Sequence, residues 1–139
     1  MNILIIDGQG GGLGRQLVKA LRAALPEHEI TAVGTNSAAT EAMLRAGANH
    51  AATGENAVRV ACRKADIIVG PLGIVIADAL MGEITPDMAR AVGQSAAKRV
   101  LIPMNHCRAY IAGVEEKKVA EYLQDAIDII RRIMKEEEK

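Results

Sequence analysis

The chain has 139 residues, with 17 basic and 17 acidic side chains and a formal net charge of zero. That length supports one domain with a real core, and the charge balance excludes the basic surplus of a nucleic-acid-binding protein. The apolar runs are short, none reaches membrane-span length, and Met1-Asn2 lead straight into one of them with no signal-peptide basic region.

The expectation is a single cytoplasmic domain, residues 1–139, that engages neither membrane nor nucleic acid. Cys62 and Cys107 are too few for a disulfide framework. Trp and Phe are absent and Tyr occurs only at 110 and 122. Stacking a base on an aromatic platform is therefore nearly excluded; an adenine ring would sit between aliphatic side chains.

In chain order, a strand over Asn2 to Asp7 empties into Gly8-Gln9-Gly10-Gly11-Gly12-Leu13-Gly14. A helix follows from Gly12 to Leu25, with Leu13, Leu17, Ala20, Leu21 and Ala24 on one face. Pro26 ends it. A second strand spans Glu29 to Gly34. Thr35-Asn36-Ser37 caps a second helix that closes at Gly47. A weak third strand runs from Asn49 to Thr53, and a third helix from the Thr53-Gly54-Glu55-Asn56 turn to Lys64. The fourth strand is Asp66 to Gly70, followed by Pro71-Leu72-Gly73-Ile74. A short helix or lid over Ala77 to Gly82 comes next. Thr85-Pro86 starts a fourth helix that ends near Ser95. A fifth strand covers Arg99 to Pro103, a sixth Arg108 to Val114, and a last helix Glu115 to Met134. Residues 135–139 read as a frayed, solvated tail.

Only Met104 to Cys107 separate the fifth and sixth strands, too few for a parallel crossover. The expected fold is therefore α/β: a three-layer αβα Rossmann-like open sheet, with five parallel strands and an antiparallel sixth at one edge.

The candidate site is the carboxyl rim. The turns leaving the first four strands are rich in Gly, Thr and Asn, whereas those at the opposite edge, such as Pro26-Glu27-His28-Glu29 and Arg63-Lys64-Ala65-Asp66, are charged. In an open parallel sheet, ligands bind at the carboxyl ends of the strands, at the switch in strand order. The residues expected to bind a cofactor are Asp7, Gly8, Gln9, Gly10, Gly11, Gly12, Leu13, Gly14, Gly34, Thr35, Asn36, Thr53, Gly54, Asn56, Gly70, Pro71 and Gly73. A glycine loop opening a helix lets backbone N–H groups and the helix dipole reach a phosphate. The alternative is that these residues only form turns and caps.

The G-x-G-x-x-G fingerprint fails, because Leu13 stands where the last glycine should fall. A P-loop also fails, since no Lys-Ser or Lys-Thr follows the glycines. The spacing Gly8-x-x-x-Gly12-x-Gly14 is similar to the loop of short-chain dehydrogenases. Their Tyr-x-x-x-Lys is missing, for Tyr110 is followed four on by Val114 and Tyr122 by Ala126.

The second strand ends in Thr35-Asn36-Ser37 and not in the carboxylate that NAD sites place there, which leans the reading towards NADP or a phosphorylated mononucleotide. Asp7 could order the loop by accepting backbone N–H groups, hold a metal, or act as a base. Cys107, after Asn105-His106, could be a nucleophile or a plain turn thiol. No cluster has metal-ligand spacing. On the last helix, Val119, Leu123, Ala126, Ile127, Ile130 and Met134 form a stripe. Tyr122, Ile129 and Ile133 widen it, either as a homodimer surface or as deeper core.

The runs Ile6 to Gly14 (IDGQGGGLG), Gly34-Thr35-Asn36, Ala46-Gly47-Ala48-Asn49, Ala52 to Asn56, Gly70 to Gly73, Gly82 to Pro86 and Leu101-Ile102-Pro103 together resemble a family of small bacterial Rossmann-like proteins defined as a domain of unknown function. The likeness runs from the first strand to Val114. It implies a compact cytoplasmic Rossmann-like domain with a site rich in Gly and Asn, and it brings no catalytic residues. Three functions fit: a nucleotide- or dinucleotide-binding domain, including a small NADP oxidoreductase; a non-catalytic sensor of a phosphorylated metabolite; and a small transferase or hydrolase using Asp7 or Cys107.

Overall fold

A computed structural model describes residues 1–104 and 108–139. Five strands, β1 (Asn2–Asp7), β2 (Glu29–Gly34), β3 (His50–Thr53), β4 (Ile67–Pro71) and β5 (Lys98–Ile102), form one parallel sheet in the order β3-β2-β1-β4-β5. The chain winds outward from β1 to β3, then returns to lay β4 on the other side of β1. The switch point therefore lies between β1 and β4. Register brings the strand ends level: Asp7 stands beside Gly34, Gly34 beside Thr53, and Pro71 beside Ile102.

Strands buried on both faces read as continuous apolar runs, and β1 and β4 do so. Alternation splits β1 between two cores. Ile3 and Ile5 pack with Leu17, Val18 and Leu21 of α1 (Gly12–Ala24), Met43 of α2 (Ser37–Arg45), and Ala126, Ile127 and Ile130 of α5 (Val119–Glu137). Leu4 and Ile6 pack with Val58 and Cys62 of α3 (Glu55–Lys64), Met88 and Val92 of α4 (Pro86–Gln94), and Ile74, Leu80 and Ile84 of the connection between β4 and α4. The result is the expected three-layer α/β domain. No helix among the described residues is long and apolar enough to cross a membrane.

Three expectations are corrected. Arg108–Val114 forms no antiparallel edge strand. Its residues are turns and irregular backbone, with Arg108 at φ +63° and Gly113 at φ +81°, in the left-handed region that interrupts a pleat. Helix α5 starts at Val119 and not at Glu115, because the Tyr122 hydroxyl donates to the Glu115 carbonyl and accepts the Lys117 amide, both at 3.0 Å, fixing 115–118 outside the helix. At the other end, α5 runs on past Met134 to Glu137, with residues 135–139 exposed.

The expected helix or lid over Ala77 to Gly82 is a run of turns, closed on itself by Asp78 N–H to the Ile84 carbonyl at 2.7 Å and Gly82 N–H to the Asp78 carbonyl at 3.0 Å. Tyr122 is buried in its own chain, so the widened flank of α5 is partly core; Ile129 and Ile133 remain half-buried.

Candidate functional site

The glycine loop is shaped by a carboxylate beneath it. Asp7 Oδ2 accepts the Gly14 amide at 2.6 Å. Asp7 is 5% exposed. Burial pushes its carboxyl above the ordinary range, Glu83 adds to that, and the Gly14 and Gly8 amides pull it back. The loop closes with Gly11 N–H to the Gly8 carbonyl at 2.9 Å, and Gly11 precedes α1 at φ +73°. That conformation favours glycine, and a Cβ at Gly11 would also meet Ala39 Cα at 2.8 Å.

The glycines now separate into two kinds. At Gly8 an added Cβ would meet Thr35 Oγ1 at 2.6 Å; at Gly14, Met43 Sδ at 2.6 Å; at Gly34, Thr40 Oγ1 at 2.4 Å; at Gly70, the Ile6 carbonyl oxygen at 2.5 Å. These are glycines because the fold is crowded there. At Gly10 and Gly12 a Cβ would meet nothing within 4 Å, and both residues are exposed. Among the described residues, the amides of Gly10, Gly12 and Leu13 have no acceptor. They lie at the first turn of α1, whose dipole favours negative charge.

Much of the rest of the rim is committed. The Asn36 side-chain oxygen caps α2 through the Ala39 amide at 2.9 Å. Its amide nitrogen donates to the Gln9 carbonyl at 2.9 Å and to Glu83 Oε1 at 2.8 Å. Thr53 Oγ1 pairs with Thr40 Oγ1 at 2.7 Å, and the Gly54 amide donates to the Gly34 carbonyl at 2.9 Å. Gly70, Pro71 and Gly73, expected to face a ligand, are buried and serve packing. Asn56 is exposed on the first turn of α3.

The residue that sequence reasoning missed is Glu83. Its Oε1 accepts the Thr35 hydroxyl at 2.6 Å, the Asn36 amide nitrogen at 2.8 Å and the Gln9 backbone amide at 2.9 Å. The Thr35 hydrogen bond, joined by those from Gln9 and Asn36, holds this carboxyl below the ordinary range although partial desolvation opposes it. Glu83 is 74 residues from Gln9 in the chain, and no local periodicity signals such a contact. Thr85, two residues on, donates to Glu55 Oε1 at 2.5 Å and accepts the Met88 amide at 3.1 Å as the cap of α4. This segment therefore ties together the loops after β1, β2 and β3.

It is also anchored: Leu80 is 4% exposed and Ile84 fully buried. Lifting the segment would expose both side chains, at roughly 1.5–3 kcal/mol each. Glu83 is accordingly a fixed part of the rim.

Of Thr35-Asn36-Ser37, read from the sequence as a place for a phosphate, Thr35 and Asn36 donate to Glu83, and that carboxylate stands beside the end of β2, while Ser37 is exposed. A cavity of about 540 Å³ lies elsewhere, between α3 and α4, lined by Arg59, Arg63 and Arg90. Cys62 is buried and its thiol is pushed up to about 11 by desolvation; it is core, as expected. Cys107, with Asn105 and His106, lies outside the described residues. No group of three or more His, Cys, Asp or Glu among the described residues could hold a metal ion.

Fold and rim together define a Rossmann-like α/β domain whose glycine loop opens at the switch point of a parallel sheet. The chain belongs to the family described as a domain of unknown function, DUF3842, which it matches over residues 2–135. No curated protein matches it. Among solved structures it is similar to a dodecameric FMN-dependent UbiX-like decarboxylase from Escherichia coli O157:H7, with 19% identity, 92% of this chain and 75% of that chain covered, and a TM-score of 0.48.

Proposed function

We propose that this domain binds a nucleotide or dinucleotide by its phosphate at the amides of Gly10, Gly12 and Leu13. One observation carries the reading. The amides of Gly11, Gly14 and Gly54, the Thr35 hydroxyl and the Asn36 side chain are engaged within the chain, whereas these three amides have no acceptor among the described residues and the space above Gly10 and Gly12 is open. Backbone N–H groups at a helix start are the usual cradle for such an anion. Asp7 shapes the loop from below through Gly14 and does not face the ligand, so two anions are not set together at low dielectric.

Binding is better supported than catalysis. Asp7 is buried and engaged, and Glu83 is a weak base held by three donors. Of the readings the sequence allows, the small NADP oxidoreductase loses two of its expected phosphate partners, since Thr35 and Asn36 donate to Glu83, while nucleotide binding at the glycine loop does not depend on them. The sensor alternative has one observation in its favour: Met81, 94% exposed, lies two residues from Glu83 on the same closed turn, so a change at the ligand adjoins the surface. A second copy of the chain would pair through the half-buried Ile129 and Ile133 of α5.

The test is thermal stabilisation by AMP, ADP, NAD and NADP, on wild type and Gly12→Val. Stabilisation of wild type by at least one nucleotide and its loss in the variant are expected. Undiminished stabilisation of Gly12→Val, or none in wild type, would overturn the reading.

A further inference from the structure

We infer that the cleft between α3 and α4 is a second anion site, fitted to a small molecule that carries two or more phosphate groups. It is independent of the nucleotide reading and lies at the other end of the sheet. Its cavity, about 540 Å³, is bounded in part by Ala65 and Ala97, which stand just before β4 and β5; the glycine loop leaves β1 at its carboxyl end. That volume falls in the range of small-molecule sites. Small side chains make the room: Cys62, Ala65, Ala91 and Ala97 line it, and Cys62 and Ala97 are buried. An apolar floor lowers the local dielectric, so charges set above it act more strongly than on an open surface.

The charges are guanidiniums. Arg59 and Arg63 stand one turn apart on α3, roughly 5–6 Å between Cβ atoms at that spacing, and Arg90 comes from α4. Among the described residues none of the three pairs with a carboxylate, and Arg59 and Arg90 donate no side-chain hydrogen bond. Arg63 uses only its Nε, on the Arg59 carbonyl at 3.3 Å, which leaves its terminal nitrogens. One carboxylate, Asp87, lines the same cavity, on the first turn of α4 where the helix dipole favours it. Three guanidiniums against one carboxylate leave a local positive surplus in a chain whose total is zero.

Helix carboxyl ends are negative and by themselves repel an anion. Here another arginine answers that end of α4: Arg99 Nη1 donates to the Ser95 carbonyl at 2.7 Å and to the Ala97 carbonyl at 3.2 Å. Ser95 Oγ in turn donates to the Cys62 carbonyl near the end of α3 at 2.7 Å. Arg59, Arg63 and Arg90 are therefore not spent on the helix ends. Each guanidinium presents five N–H groups in a planar fork that matches phosphate oxygens two at a time. A phosphate monoester brings three acceptor oxygens and about 1.5–2 negative charges at neutral pH, against two oxygens and one charge for a carboxylate. Forks from two helices suit more than one such group. The zero net charge argues against a polynucleotide.

Titration with inorganic triphosphate, by calorimetry and by NMR of the arginine Nε–H groups, tests this in wild type and in a Gly12→Val background that removes any contribution of the glycine loop. Binding is expected to persist in Gly12→Val. The signals of Arg59, Arg63 and Arg90 should move together and saturably, and those of Arg45 and Arg132, on α2 and α5, distinctly less. Arg59→Ala and Arg90→Ala, each in that background, are expected to weaken triphosphate about tenfold or more. Arg90→Lys keeps the charge, loses the fork and is expected to weaken it too. Citrate, with carboxylates only, is expected to bind more weakly than triphosphate. All three arginines are exposed, so the variants are expected to fold; the wild-type arginine signals locate the site even if one does not. Equal shifts at Arg45 and Arg132, or an affinity that no arginine variant changes, would overturn the inference. Citrate binding as tightly as triphosphate would overturn the phosphate assignment. Loss of all triphosphate binding in Gly12→Val would overturn this site and leave the glycine-loop reading standing.

Discussion

Asp7 and Gly14 close the glycine loop from beneath: Asp7 Oδ2 accepts the Gly14 amide at 2.6 Å, seven residues on. The contact takes the third amide of α1 out of play and leaves those of Gly12 and Leu13, with Gly10 before them, turned to an exposed rim. It also means that the glycines of this loop do different work, and substitutions should separate them.

Gly14→Ala places a Cβ against Met43 Sδ and Asp7, and Gly11→Ala adds left-handed strain to a clash with Ala39. Each is expected to lower stability by about 1–3 kcal/mol. Gly12→Val meets open space and is expected to change stability by no more than about 0.5 kcal/mol. Urea denaturation of the three variants checks the order; a Gly12→Val protein as destabilised as Gly14→Ala would contradict it.

Asp7 carries a pH signature. Its carboxyl titrates higher in the fold than the ordinary value of 3.8, chiefly through burial. The folded chain therefore binds more protons than the unfolded chain in the window above 3.8, and this group's contribution to stability falls as pH rises through that window. Asp7→Asn has no such titration. Its stability relative to wild type, by denaturation at a series of pH values, should improve as pH rises from 3.8 through the folded value and level off above it. A constant difference would contradict a raised carboxyl.

Glu83 has the opposite sign. Its carboxyl titrates below the ordinary 4.5 because Thr35, Gln9 and Asn36 donate to it. Its stabilisation is complete above that value and is lost as pH falls through the folded value. Glu83→Gln should be less stable than wild type at neutral pH, with the difference closing in acid. A difference that persists below the folded value would show that the three donors do not favour the anion.

Much of this was legible in the sequence. The β1 run, the glycines and α1 follow one another so closely that local pattern defines them, and Thr85-Pro86 marks the start of α4 through cap chemistry alone. Arg108–Val114 misled because its alternation resembles a strand, while Arg108 and Gly113 adopt left-handed backbone that no pleat accommodates. The start of α5 was hidden by a tertiary bond, Tyr122 to the backbone of 115 and 117. Within the site, Asp7 could be read because its partners lie a few residues away. Glu83 could not, because its three donors come from two loops that only the sheet order brings together. The buried Gly70, Pro71 and Gly73 looked like rim residues for the converse reason: composition shows a turn and not the Ile6 carbonyl and Ile74 side chain packed against it.

The most direct measurement is an amide NMR titration of the wild-type chain with ADP. The amides of Gly10, Gly12 and Leu13 should shift most, and that of Gly14, already held by Asp7, distinctly less. Saturable shifts confined to other parts of the chain, with Gly10, Gly12 and Leu13 unmoved, would contradict the account.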